Sequence, residues 1–310
     1  MKILTPPYTD SLPPLVATIG CFDGVHLGHR FLIEQVCAEA DRRKLASALI
    51  TFPVHPRQVM QSKYCPQLLS CLSQKTELLL RQQADYCLLF PFTQELSLLS
   101  ARDFMQQLHE RFHIEVLVIG YDHRFGHNRR EGFDDYCRYG QELGMEVVQA
   151  APLRMDGISV SSSLIRELLL AGDVQRANHY LGYSYYLNGQ VVGGHQIGRT
   201  LGFPTANLHP LCAEKLIPAH GVYAVYVYLD DTRYRGIMNI GRRPTIDNGS
   251  QTSIEVHILD FSGDIYRHTL KVELAAYLRP EQRFPSTEAL IEQMGKDRQR
   301  AVTLLDGPTH

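Results

Sequence analysis

Short apolar or β-branched runs alternate with longer amphipathic ones from residue 15 to about residue 150, and this rhythm restricts the fold of the chain more than any other feature. Residues 15–20, 48–52, 86–90, 114–120 and 145–149 read as strands, and the stretches between them read as helices. Residues 74–84 and 101–112 carry apolar side chains at three- and four-residue spacing, with Ser73 and Ser100 placed as N-caps. Strand and helix in strict alternation predict a parallel sheet with helices packed on its faces. Ligands in such a fold bind beyond the carboxyl ends of the strands. Two loops are expected there: one holding His26 and His29 after the first strand, the other running from Tyr121 to Gly126 after the fourth.

Near residue 183 the texture changes. Residues 162–171 and 173–181 read as two helices broken at Gly172, and beyond them strands follow at short intervals. Residues 222–229 alternate aromatic and β-branched side chains and stop at Asp230 and Asp231. Residues 236–240, 253–259 and 269–274 continue in that style, which predicts a small antiparallel barrel. A closing helix from Ser286 to about Leu305 carries Leu290, Ile291, Met294 and Val302 on one side. With no internal repeat, two unlike domains are expected, 1–183 and 184–310. The chain of 310 residues is 44% hydrophobic, enough apolar material for two cores.

Lys and Arg total 31 against 33 acidic residues, and a net charge of −2 gives no general electrostatic reason to bind nucleic acid or an anionic membrane. No apolar run approaches the roughly 20 residues that span a bilayer, and the N-terminus lacks a charged-then-apolar signal pattern. Cysteines 21, 37, 65, 71, 87, 137 and 212 form an odd, scattered set that fits small buried hydrophobes in a reducing compartment. The expected location is the cytoplasm. No H-E-x-x-H or C-x-x-C pattern supports a structural zinc site.

The loop after the first strand is where chemistry concentrates. Gly20, Cys21, Phe22, Asp23, Gly24, Val25, His26, Leu27, Gly28 and His29 put two imidazoles on a glycine-bounded turn ahead of a helix whose apolar positions are Leu32, Ile33, Val36, Cys37 and Ala40. A helix start offers unpaired N–H groups and the positive end of its dipole to an anion. Histidines three apart can reach one bound group together, although such a pair also serves as surface or capping chemistry. Further on, Ser161, Ser162 and Ser163 group hydroxyls at a helix start, and Arg166 falls in its first turn. These two segments resemble the H-x-G-H and I-S-S-T-x-I-R signatures of the nucleotidylyltransferase superfamily, in its flavin adenylyltransferase branch, with Ser163 in place of the threonine. Likeness extends to the segment with His55, where Val54 replaces a proline, and to Gly120–Gly126, where His123 replaces a phenylalanine. The resemblance implies a Rossmann-like α/β domain in which His26 and His29 are catalytic. It assigns Gly20, Phe22, Asp23, Gly24, Gly28, Ser161, Ser162, Ser163 and Arg166 to ATP, and His55, Asp122 and Phe125 to flavin.

The second half holds a glycine-rich run from Gly193 to Gly202 that fits neither common phosphate-loop pattern and ends in Phe203, Pro204, Thr205, Ala206 and Asn207. That ending resembles the riboflavin kinase family, as do the segments Asn239 to Thr245 and Glu255 to Phe261; Arg267 departs from it, standing where glycine follows the tyrosine. The resemblance implies that Thr205 and Asn207 hold magnesium, that Glu255 is the base, and that Gly194, Gly198, Arg199, Gly202, Pro204 and Asn239 bind ATP or flavin. Together the motifs resemble the bifunctional riboflavin kinase and FAD synthetase of bacteria over nearly the whole chain. Riboflavin, FMN and ATP are then the expected partners, with no nucleic acid or membrane and with an oligomeric state the sequence does not specify. Two rivals are a flavin-binding regulator without turnover and a nucleotidyltransferase acting on pantetheine phosphate or nicotinate mononucleotide. The second explains only the first half.

Overall fold

The computed structural model describes residues 1–9, 11–61, 65–127, 130–193, 203–244 and 250–306. These form two compact units, Met1–Ser162 and Ser163–His310.

In the first unit the expected alternation is present. Strands β1 (Lys2–Leu4), β2 (Leu15–Ile19), β3 (Ala46–Thr51), β4 (Tyr86–Leu89), β5 (Ile114–Gly120) and β6 (Glu146–Ala150) make one parallel sheet in the order β1-β4-β3-β2-β5-β6. Helix α1 (Leu27–Arg43) follows β2, and α2 (Pro56–Val59) and α3 (Leu72–Leu80) follow β3. Helices α4 (Gln94–Ser97) and α5 (Ala101–Phe112) precede β5, and α6 (Phe133–Leu143) precedes β6. Central β2 is buried at every residue because both faces are covered: Leu15, Ala17 and Ile19 join a core with Phe104 and Leu108 of α5, while Val16 joins Val36 and Ala40 of α1. Ser100 caps α5 as expected, accepting from the Asp103 N–H. Ser73 does not cap α3: the helix begins at Leu72, Cys71 is its N-cap, and the Cys71 N–H donates to Gln74. The short edge strand β1, which the sequence reading leaves out, pairs Lys2 with Tyr86.

A small hairpin, β7 (Arg154–Met155) with β8 (Ile158–Ser159), leads to α7 (Ser162–Leu170). Helix α8 (Val174–Leu181) follows Gly172, which takes φ +83°. The second unit then closes a six-stranded antiparallel barrel from β9 (Tyr186–Val192), β10 (Ala206–Pro210), β11 (Gly221–Leu229), β12 (Thr232–Pro244), β13 (Ser250–Ile258) and β14 (Thr269–Arg279), in the order β10-β13-β12-β11-β14-β9. Closure leaves no free sheet edge. Strand β11 ends at Asp230 and Asp231 as expected, and these two residues make a tight turn that pairs Leu229 with Thr232, so β12 begins four residues ahead of the expected Gly236. Helix α9 (Thr287–Leu305), capped by Ser286, packs Ala301 and Leu305 against Val222, Ala224, Ala276 and Leu278. Arg279 anchors it by an ion pair of 2.8 Å to the buried Asp297.

Candidate active sites

In the first unit β2 lies between β3 and β5, so the strand order reverses at the β2/β5 junction, the place where open parallel sheets bind ligands. The turn from Gly20 to His26 leaves β2 at that junction. It is held in an unusual backbone: Phe22 at φ 47° and Val25 at φ 38° occupy left-handed conformations that a β-branched residue avoids. Three ties over-determine it. The buried Asp23 carboxylate accepts from the N–H groups of Leu69 (3.0 Å) and Ser70 (2.9 Å). Ser70 Oγ accepts from the Gly24 N–H at 2.8 Å. Ser162 Oγ donates to the Asp23 carbonyl at 2.9 Å.

The turn ends in the N-cap of α1, and that cap is His26. Its Nδ1 accepts from the His29 N–H at 3.3 Å, which puts the proton of the neutral ring on Nε2. The two imidazoles stack with centroids 3.7 Å apart, and Phe22 meets His29 edge-on at 5.3 Å. His29 Nδ1 is buried and has no hydrogen-bond partner. Burial, then the neighbouring His26, lowers the pKa of His29 well below its ordinary value, with Asp23 opposing. Gly28 is required by space: a Cβ there would sit 2.9 Å from the Val160 carbonyl oxygen and 3.1 Å from His26 Nδ1.

The residues expected at flavin are placed less uniformly. His55 caps α2, its Nδ1 accepting from the Arg57 N–H at 3.2 Å, and it lines a cavity of about 20 Å³ with Cys21, Asp23, Phe52, Ser70 and Lys75. Asp122 is exposed beyond β5. Phe125 is buried, stacked on Tyr136 at 4.2 Å, so its ring anchors the loop. Ser163 and Arg166 belong to the second compact unit. Sequence reasoning missed Ser70 and Lys75; Ser70 makes its contact across 46 residues of chain, and no local pattern marks it.

In the second unit the barrel register does the assembling. Glu255 on β13 stands opposite Asn207 of β10 on one side and opposite Asn239 of β12 on the other. Directly opposed residues share a face of the sheet, so the carboxylate lies between two carboxamides. Ile254, Val256 and Ile258 are buried on the other face, as the period of two predicts. His257, on the Glu255 face, holds the Pro204 carbonyl through Nδ1 at 2.8 Å and meets Phe203 edge-on at 5.5 Å. Pro204 and Thr205 line a cavity of about 590 Å³ with Val191, Val256, Ile258 and the turn from Phe261 to Tyr266, a volume in the range of small-molecule sites, and Glu255 is not among the residues that line it. Gly194, Gly198, Arg199 and Gly202 lie outside the described residues.

Two family models divide the chain. One described as FAD synthetase matches residues 9–164, and one described as riboflavin kinase matches residues 181–305. The bifunctional riboflavin kinase/FMN adenylyltransferase of Haemophilus influenzae is 36% identical over 282 residues, covering 90% of this chain and 91% of that protein. Its counterpart in Escherichia coli (strain K12) is 35% identical over 284 residues, covering 91% and 90%. A crystal structure described as the macrolide-efflux protein from Streptococcus pneumoniae superposes with a TM-score of 0.87 at 28% identity, covering 97% of this chain and 99% of that one. Among the described residues no helix is long and apolar enough to cross a membrane. The chain belongs to the bifunctional riboflavin kinase/FMN adenylyltransferase family.

Proposed function

We propose that this chain carries out two successive transfers from ATP: phosphorylation of riboflavin to FMN in the second domain, and adenylylation of FMN to FAD, with release of pyrophosphate, in the first. The observation that carries the reading is that the motif residues assemble twice, as stacked imidazoles on a helix N-cap in one unit and as a carboxylate between two amides in the other. The division we assign to the activities is 1–183 and 184–310.

In adenylyl transfer a phosphate oxygen of FMN attacks the α-phosphorus of ATP while the bond to the β-phosphate breaks. No covalent bond to the protein is needed, so the site acts by positioning and by stabilising charge. His26, fixed with Nε2–H as donor, and His29 supply hydrogen bonds to the non-bridging oxygens, and the phosphate charge draws His29 toward its cationic form. Gly20, Gly24 and Gly28 admit the phosphates to the α1 N-terminus, Asp23 and Phe22 shape the turn, and the family pattern assigns Ser161, Ser162, Ser163 and Arg166 to the nucleotide. His55 and the loop bearing Asp122 and Phe125 take the flavin.

In the kinase reaction the riboflavin 5′-hydroxyl attacks the γ-phosphorus and ADP leaves; Glu255 orients the hydroxyl and accepts its proton. The oxygen-only donors Thr205 and Asn207 suit magnesium, which takes a few protein oxygens beside phosphate and water, and these two would hold it. The ion, when bound, neutralises phosphate charge. Substrates of this kind and seven free cysteines support a cytoplasmic setting.

Incubating the protein with riboflavin, ATP and magnesium, with chromatography of flavins over time, tests both steps. FMN is expected first and FAD after it. Stoichiometric retention of flavin with no product would overturn the reading in favour of a binding regulator.

A further inference from the structure

We propose that Lys75 is a positioning residue for adenylyl transfer, its ammonium tying the carboxyl ends of β2 and β3 so that the histidine turn and the His55 segment keep one separation. The proposal rests on the reading of His26 and His29 as the adenylyl-transfer site.

Lys75 projects from α3 and is buried, 7% exposed. Its Nζ donates to the Phe52 carbonyl at 2.6 Å and to the Cys21 carbonyl at 3.2 Å. Both acceptors stand just past the end of a strand: β2 closes at Ile19 and β3 at Thr51, and the two strands are parallel neighbours with Ile19 opposite Ile50. Here the ladder between the strands runs out and their chains diverge into different loops. The chain beyond Cys21 enters the turn that carries Asp23 and His26. The chain beyond Phe52 enters the Pro53 to His55 segment. One side chain therefore grips the roots of both loops.

A neutral side-chain amide, with two N–H donors, would close two carbonyls without the desolvation that a buried ammonium suffers. The cation gives something a neutral donor does not, namely a fixed positive charge under the site. Burial pushes the lysine's pKa down, while Cys21, Asp23 and Cys87 act to raise it. The charge also reaches His29, where it adds to burial and His26 in lowering the imidazole pKa, with Asp23 opposing. An ammonium has three donors and two are committed to Cys21 and Phe52; the group borders the cavity of about 20 Å³ shared with His55 and Ser70, room for about one water.

The test uses the full chain. Lys75→Met keeps the stem and removes the ammonium, and Lys75→Arg keeps a cation. For each, kcat and KM of FAD formation are measured well below the variant's own melting temperature, with riboflavin kinase activity of the same sample as control. With Lys75→Met, kcat for FAD formation is expected to fall about ten- to hundredfold, as a displaced reacting geometry does. KM for ATP and FMN should stay within about threefold and kinase activity should be unchanged. Lys75→Arg should recover about tenfold of the lost kcat. The proposal is overturned if folded Lys75→Met keeps its kcat, if the loss falls on KM instead, or if Lys75→Arg is no better than Lys75→Met. Lys75→Leu, which also lacks a donor, is read by the same criteria should Lys75→Met prove too unstable to assay. His29→Ala run alongside separates the two levels. Loss of FAD formation there but not in Lys75→Met removes only this inference, whereas retention in His29→Ala removes the site reading beneath it.

Discussion

At the scale of single residues, His26 and His29 divide one task unequally. His26 is bound into the backbone as a helix cap and its tautomer is set by that bond. His29 keeps a buried ring nitrogen without a partner, which costs free energy unless a ligand completes it. His29→Ala should therefore lower FAD formation by about 10²–10³-fold, the effect of losing one preorganised donor, while FMN accumulates. Glu255→Gln should leave FAD formation intact when FMN is supplied and stop its synthesis from riboflavin. Flavin chromatography reads both variants, and a folded variant that loses both activities would refute the assignment. His29 also carries a pH signature. Folding lowers its pKa, chiefly by burial, so the unfolded chain holds that proton more tightly. Above the ordinary value of 6.5 the ring is neutral in both states and its titration adds nothing; below it the unfolded chain takes up the proton first, so stability is lost progressively from 6.5 down to the lowered folded-state pKa. The melting temperature should drop on acidification below that point, and His29→Gln should flatten this part of the profile in differential scanning calorimetry.

At the scale of elements, the phosphate-binding turn depends on a segment distant in sequence. Asp23 matches the family's ATP motif, yet its carboxylate faces the backbone of Leu69 and Ser70 just ahead of α3. Asp23→Ala would strand two buried N–H donors and should destabilise the first unit by about 3 kcal/mol in urea unfolding. An effect confined to KM for ATP, with stability unchanged, would show instead that the carboxylate meets nucleotide. What the sequence makes legible follows from this distinction. Strands β2, β3, β5 and β13, the Ser100 cap, the closing helix and the histidine turn are local patterns, and they lie close to where periodicity and capping rules put them. Strand β1 is too short to show a period, and the α3 cap shifted from Ser73 to Cys71 because Gln74 reaches back to the Cys71 N–H. The grip of Lys75 on Phe52 and Cys21 spans 23 and 54 residues, so only the folded sheet discloses it.

At the scale of the whole molecule, the texture of the sequence and the packing divide the chain at different points. Composition changes near residue 183, where strands begin, but the compact units part between Ser162 and Ser163. The reason is tertiary. Asn178 of α8 donates to the Leu274 carbonyl of β14 at 2.8 Å and accepts from the Tyr185 N–H at 2.7 Å, while the Ala219 N–H reaches Leu169 of α7 at 3.0 Å. Helices α7 and α8 are thereby built onto the barrel, although the FAD synthetase match ends at residue 164. Each unit has its own core, and the histidine turn lies in the first while Glu255 lies in the second, so the product of one reaction must leave one site to become the substrate of the other. The separation can be tested by mixing. His29→Ala protein makes FMN and Glu255→Gln protein consumes it, so equal amounts of the two, given riboflavin, ATP and magnesium, should form FAD far faster than either does alone. A lag should precede FAD while FMN builds up in solution, and the lag should shorten as the His29→Ala share is raised. Were FMN handed on only within a single polypeptide, the mixture would accumulate FMN and yield no FAD, and the two pockets would have to be treated as one coupled machine.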